Sequence, residues 1–277
     1  MIRATWPGRL VLLGHPVAHS LSPHFQSAAL ARAGISLRYE PLDVLPLELA
    51  ATVRSLRGVG AAGNVTIPHK SAMALLCDHV TPVVERTRAV NTFWHEDERL
   101  VGDNTDVHGF DALVASLCGE APGNSRVALL GAGGAAAAVC EAISRWSGAS
   151  VSVFARRHSA AVELADRYFT IANAAQSLGA AMHDATLVVN ATPVGLTDDA
   201  MPVDPALLPR DADVIDLVYR AGETAFVRAA RARAHRAADG LTMLVEQGAV
   251  AFERWFGTPP DRAAMWEALR RATVAPG

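Results

Sequence analysis

Short apolar strands alternate with capped or amphipathic helices along most of the chain, which predicts an α/β protein built on open, mostly parallel sheets. A second observation refines this: a glycine-rich turn at residues 131–136 stands between a strand-like run and a helical one. A third is the stretch Pro122-Gly123-Asn124-Ser125 just before that turn, the best candidate for a linker. The 277 residues suit one large domain or two ordinary ones, and with 51% hydrophobic residues there is ample material for a core.

Leu10-Val11-Leu12-Leu13-Gly14 is a continuous apolar run ending in glycine, as a buried parallel strand requires. After it, Ser22 before Pro23 reads as an N-cap with proline at the first helical position, predicting a helix over 23–32. With Ser20, the same hydroxyl beside a free helix N-terminus would also make a carboxylate site. A strand near 37–43, a helix near 46–57 and a strand near 60–66 continue the alternation. Asn64 and Thr66 then fall at a strand end, where such sheets present ligand-binding residues. Pro68 is expected to open a helical stretch running to about residue 87, with Lys70 in its first turn.

Lys70 is the only lysine in the chain; the other 24 basic residues are arginine. It is either a chance survivor on the surface or a group kept because lysine, unlike arginine, exchanges a proton readily. A cation in a first helical turn opposes the helix dipole, which disfavours an idle lysine there.

Two strands over 89–94 and 100–106 are expected around a polar turn at 95–99. Asp103 and Asp106 lack further nearby ligands and make weak evidence for a metal. Asp106 is placed to cap a helix over 107–117, which is compatible with a catalytic role. Beyond the linker come a strand at 126–130, the turn Gly131-Ala132-Gly133-Gly134-Ala135-Ala136, a helix to about 146 and a strand at 150–154. That order is the one a dinucleotide needs: Gly131 permits the tight turn, Gly133 the approach of the pyrophosphate, and Ala136 close helix–sheet packing. At the end of the next strand an acidic residue would bind the ribose of NAD, but Ala155-Arg156-Arg157 stands there. Arginine suits the 2′-phosphate of NADP; the alternative is a solvated surface pair.

Strands at 185–191 and 214–218 lead into loops carrying Thr192 and Tyr219, expected to line the nicotinamide side. A helix over 241–256 puts Leu241, Leu244, Val245, Gly248, Phe252 and Trp255 on one face, with Gln247 at its flank as a boundary residue or ligand contact. A last helix is expected over 262–272.

The net charge of −3 and the dispersed arginines argue against nucleic-acid binding. Three cysteines, Cys77, Cys118 and Cys140, without metal-ligand spacing read as core thiols of a reducing compartment. Residues 1–7 lack a signal-peptide core and no stretch is long and apolar enough for a bilayer, so no membrane partner and a cytoplasmic location are expected.

Seven segments in order, GHPVAHSLSP (14–23), NVTIPHK (64–70), AVNT (89–92), GDNTD (102–106), GAGGA (131–135), NAT (190–192) and DGLTMLVEQ (239–247), together resemble the shikimate dehydrogenase family over nearly the whole chain. The resemblance implies two α/β domains. Residues 1–105 would form a substrate domain with a mostly parallel sheet, 106–240 a Rossmann-type NADP domain, and 241–277 helices returning to the first. It implies that Ser20, Ser22 and Tyr219 hold a substrate carboxylate, and that Asn64, Thr66, Asn91, Asp106 and Gln247 surround ring hydroxyls. Lys70 and Asp106 would be the catalytic pair, with no metal. NADP would lie along Gly131, Ala132, Gly133, Gly134 and Ala135, with Ala155, Arg156 and Arg157 at its adenosine end and Thr192, Leu217 and Gly240 at the nicotinamide end. The implied reaction is reversible reduction of 3-dehydroshikimate to shikimate on the route to chorismate and the aromatic amino acids, by a monomer or homodimer. Other readings of the same residues are a relative preferring quinate or an amino analogue, and a non-catalytic sensor of such acids. Three places in the chain depart from the family pattern: Ala155-Arg156-Arg157 with Ala160, Arg88 in place of a common glycine, and the loop Arg220-Ala221-Gly222.

Overall fold

The computed structural model describes residues 6–96 and 98–273; Asp97, in the expected polar turn, and residues 1–5, in the N-terminal stretch read for a signal, lie outside the described residues. The elements in order are β1 (Leu10–Gly14), α1 (Ser22–Arg32), β2 (Tyr39–Asp43), α2 (Leu49–Arg57), β3 (Ala62–Val65), α3 (Lys70–Ala74), β4 (His79–Val80), α4 (Pro82–Thr87), β5 (Thr92–Glu96) and β6 (Arg99–Asp103). They continue with α5 (Asp106–Cys118), β7 (Arg126–Leu130), α6 (Gly134–Ile143), β8 (Ser150–Phe154), α7 (His158–Arg167), β9 (Ala172–Ala174), α8 (Leu178–Met182) and β10 (Leu187–Asn190). The last are β11 (Asp213–Asp216), α9 (Ala225–Ala232), β12 (Ala237–Ala238), α10 (Leu241–Phe256) and α11 (Arg262–Thr273).

Two compact units result: one comprises the chain to Asp106 and from Leu244 onward, the other Val107–Met243. The first holds a six-stranded sheet of order β2-β1-β3-β5-β6-β4. Its pairs are parallel except at β3–β5 and β5–β6. The second sheet, β12-β11-β10-β7-β8-β9, is parallel throughout. β1 is covered on both faces, with Leu10, Val11 and Leu13 fully buried, which is why its sequence is apolar without alternation. One side of the first sheet packs Val11, Leu13, Val65, Met73, Val90, Phe93 and Leu100 with Leu49, Val53 and Leu56 of α2. In the second unit Leu130, Val188 and Val214 pack with Phe226 and Val227 of α9.

Three helix expectations are corrected. The stretch from Pro68 to residue 87 is two short helices separated by β4, because Asp78 and Thr81 donate backbone N–H groups to Leu100 and Gly102 of β6. Pro82 holds Thr81 extended (ψ 158°), which forbids continuous helix. Ser22 is not an N-cap but the first helical residue; Leu21 precedes it without a side-chain cap, and the Ser20 hydroxyl accepts the Ser22 N–H at 3.2 Å. Asp106 likewise lies inside its helix, and Asn104 Oδ1 takes its N–H at 3.1 Å. The elements between β8 and β10 and between β11 and α10, for which the sequence reading makes no assignment, are short and alanine-rich.

Arg88 ends α4 in the left-handed region, φ 52° and ψ 32°. This accounts for the glycine common at that place in the family, since a side chain there crowds the backbone. Arg88 is exposed. Arg88→Gly is therefore expected to raise stability by ~0.5 kcal/mol in urea unfolding, whereas Arg88→Ala should give no gain. A loss with glycine would show that the guanidinium contributes more than the conformation costs.

Candidate active site

Lys70 opens α3, and its carbonyl accepts the Val90 N–H at 2.9 Å, so the helix start is pinned to the segment entering β5. Its ammonium donates to Asp106 Oδ2 at 2.5 Å. Only 16% of the lysine side chain and 6% of the aspartate's are exposed, so the pair is largely removed from water. The other carboxylate oxygen, Oδ1, accepts from Asn91 Nδ2 at 2.7 Å.

Asn91 is the centre of the cluster. Its Oδ1 accepts the Thr105 N–H at 2.7 Å, and its amide nitrogen also faces Thr105 Oγ1 at 3.0 Å and Gln247 Oε1 at 3.1 Å. Two N–H bonds facing three acceptors serve two at a time, so an acceptor can be released to a ligand without leaving Asn91 unpaired. Gln247, reaching in from α10, donates its own amide to Leu244 O at 2.7 Å. Asn64, at a strand position directly opposite Thr92, donates to the Asn91 carbonyl at 3.1 Å. Within the first unit the fold thus brings Asn64, Lys70, Asn91, Asp106 and Gln247 together from five segments.

Ser20 and Ser22 sit on the loop leaving β1 and the first turn of α1, half-buried and buried. That loop is tied to the end of β3: the N–H of Thr66 donates to Leu13 O and the N–H of His15 to Ile67 O. Thr66 is accordingly beside the serine loop. Tyr219, the third residue expected at a carboxylate, follows β11 in the second unit and is half-buried.

In the second unit Gly131 has φ 114°, and a Cβ there would lie 2.8 Å from the Ala191 carbonyl oxygen, so only glycine makes this turn. Gly133 caps α6 with an extended backbone and open space in front of it, and no side chain caps the helix. The N–H groups of Gly134 and Ala135 are therefore available to an anion, as a pyrophosphate requires. Arg156 and Arg157 follow β8, exposed and, among the described residues, without a protein partner; Ala155 beside them is half-buried. Gly240 packs on Leu217 so closely that a Cβ would lie 2.2 Å from its carbonyl oxygen. These residues fit NADP: the open glycine turn, the uncapped helix and two uncommitted guanidinium groups match diphosphate and 2′-phosphate.

Several side chains that shape these sites were not singled out by sequence. Asp216 is buried and accepts from Asn190 Nδ2 at 2.8 Å, Thr224 Oγ1 at 2.7 Å and the Val218 N–H at 3.2 Å. Asn190 Oδ1 in turn accepts the N–H and hydroxyl of Thr192, so one carboxylate ties together the loops after β10 and β11. Burial pushes the Asp216 carboxyl above its ordinary range, against its three hydrogen bonds, and burial with the nearby Asp216 charge does the same to Asp239. Asp103, weighed above as a metal ligand, is occupied by Arg254 at 3.0 Å and Thr81 at 2.6 Å. The motif GDNTD places these residues, but only the folded loop reveals which acids face the site. Of the cysteines, Cys140 is buried and half-buried Cys77 packs against the core of the first unit, whereas Cys118 is half-buried beside Asp213, which corrects the expectation of a core thiol there. Burial pushes Cys77 and Cys140 to about 12 and Cys118 to about 11, so all three are protonated at neutral pH. Among the described residues no helix is long and apolar enough to cross a membrane.

Comparison with known proteins bears on the family and the fold. The family model of the shikimate dehydrogenase substrate binding domain matches residues 12–93, and that of the shikimate 5′-dehydrogenase C-terminal domain matches residues 240–270. The shikimate dehydrogenase (NADP(+)) of Mesorhizobium japonicum is 39% identical, over 100% of this chain and 99% of that protein. A counterpart from Thermus thermophilus is 42% identical, over 95% and 98%. The crystal structure of a Thermus thermophilus shikimate 5-dehydrogenase in complex with NADP(H) and shikimate superposes with a TM-score of 0.84 at 39% identity, covering 95% of this chain and 99% of that one. A quinate dehydrogenase from Corynebacterium glutamicum in complex with NAD has a TM-score of 0.82 at 28% identity, covering 94% and 97%. With relatives of this identity along its whole length, and a solved relative that superposes over nearly all of it, the chain belongs to the shikimate dehydrogenase family.

Proposed function

We propose that this protein reversibly reduces 3-dehydroshikimate to shikimate with NADPH, a step towards chorismate and the aromatic amino acids. The observation that carries the reading is the desolvated Lys70–Asp106 pair, held by Asn91 among amide groups suited to a polyhydroxylated ring. Bound NADPH supplies the hydride. Reduction of a carbonyl leaves an alkoxide, and Lys70 delivers a proton as that charge develops. Asp106 orients the ammonium and accepts from the reacting hydroxyl. In the reverse direction Lys70 takes the proton back. Asn64, Thr66, Asn91 and Gln247 hold the ring hydroxyls, and Ser20, Ser22 and Tyr219 the carboxylate.

The cofactor half of the reading rests on Arg156 and Arg157, both exposed and uncommitted. Replacing both by alanine is expected to raise the KM for NADP about 30-fold, as loss of charge-assisted phosphate bonds implies, and to leave the KM for NAD nearly unchanged. Equal effects on both cofactors would remove them from 2′-phosphate recognition. The likeness to a quinate dehydrogenase bound to NAD makes quinate the second reading to test. Steady-state oxidation of shikimate and quinate, each with NADP and NAD, decides between them; a higher kcat/KM for quinate or NAD overturns the assignment.

A further inference from the structure

Asn64 ties the cluster to a buried tyrosine outside it. Its Oδ1 accepts the phenolic proton of Tyr39 at 2.7 Å, while its Nδ2 donates to the Asn91 carbonyl at 3.1 Å. That carbonyl can only accept, so a flipped amide would set oxygen against oxygen there; the observed orientation is the one that satisfies both neighbours. With one lone pair taken by Tyr39 and one N–H by Asn91, the amide is left, among the described residues, with a free N–H on a group already polarised at its oxygen.

Tyr39 is itself held firmly. It lies at the start of β2, 5% exposed, two strands from Asn64, and reaches it across β1. Its ring lies 6.0 Å from that of Trp255 at an interplanar angle of 31°. Trp255 is fully buried on α10 and donates its indole N–H to Thr92 Oγ1 at 3.1 Å, and Thr92 is the residue paired with Asn64 across the β3–β5 ladder. Three side-chain contacts and one backbone pairing therefore close a ring, from Tyr39 to Asn64, across the ladder to Thr92, on to Trp255 and back to Tyr39. A phenol fixed in this way cannot swing aside without disturbing α10.

We infer that Tyr39 is a positioning residue for substrate recognition: its hydroxyl fixes Asn64 as a hydrogen-bond donor aimed at an acceptor oxygen, here a ring hydroxyl of the substrate. This rests on the proposed contact of Asn64 with the ring. The role is one of ground-state and transition-state binding alike, so it shows in KM rather than kcat.

The test is a double-mutant cycle of Tyr39→Phe and Asn64→Ala, read by steady-state kinetics and thermal unfolding. Phenylalanine keeps the ring against Trp255 and removes only the hydroxyl. The single variant Tyr39→Phe should raise the KM for shikimate about fivefold, with kcat and the KM for NADP within twofold of wild type. In the Asn64→Ala background it should raise the KM for shikimate no further, because the amide it orients is gone. An unchanged KM for Tyr39→Phe beside a raised KM for Asn64→Ala overturns the inference and leaves the Asn64 contact standing. An unchanged KM for Asn64→Ala removes the contact itself, and the inference with it. Additive effects, or a parallel rise in the KM for NADP and fall in kcat, would mark Tyr39 as a packing residue only and overturn its positioning role.

Discussion

Lys70→Ala lowers kcat for shikimate oxidation about a thousandfold, within the range general acid–base catalysis contributes, while the KM for shikimate moves by less than tenfold. The expectation follows from position: the ammonium is the one proton-exchanging cation in the cluster, and it is held at 2.5 Å by a carboxylate with little access to water. Alanine leaves nothing in the first turn of α3 that can deliver a proton. Water entering the gap is a weaker acid and is not oriented by Asp106. Lys70→Arg separates charge from proton exchange, because guanidinium keeps the charge and the ion pair but does not give up its proton near neutral pH. It should fold with near-normal stability and still lose activity by at least two orders of magnitude. Stopped-flow hydride transfer, followed by NADPH absorbance, checks both. Full activity in the arginine variant would reduce Lys70 to an electrostatic role, and full activity in the alanine variant would remove it from the chemistry.

The lysine was legible because it was unique in composition, and the glycine turn because its residue order sits between a strand and a helix. Both are local properties that survive in one dimension. What was not legible depends on which segments meet. Ser22 before proline satisfies every local criterion for an N-cap, yet the helix begins one residue earlier because the Ser20 hydroxyl takes the Ser22 N–H. Asp106 fails as a cap for a related reason: Asn104 takes that function and frees the carboxylate for Lys70 and Asn91. The single helix expected after Pro68 was broken by pairing of His79–Val80 with β6, a contact between residues about twenty apart that no periodicity records. Asp216 and Tyr39 are further cases. Each lies in a short strand whose sequence gives no hint of the amide it holds.

Asp106 offers the second large effect, and two substitutions divide its roles. Asp106→Ala leaves the Lys70 ammonium largely buried without its counter-charge and strips an acceptor from Asn91. Breaking a buried pair from one side costs ~3 kcal/mol, so this variant should lose both stability and activity. Asp106→Asn is more discriminating. Its carbonyl oxygen can still accept from Asn91, but its amide NH2 then faces the ammonium, donor against donor. The fold should be largely retained in thermal unfolding, since shape and the Asn91 bond persist. Turnover should fall about a hundredfold or more, because Lys70 loses the group that orients it and the reacting hydroxyl loses its acceptor. If activity tracked stability, alanine would be the worse in proportion to its lost folding energy and asparagine close to wild type. If the carboxylate acts in the chemistry, asparagine is inactive while well folded. An asparagine variant within threefold of wild-type kcat would leave Asp106 as a structural partner of Asn91 and return the acid–base role to Lys70 alone.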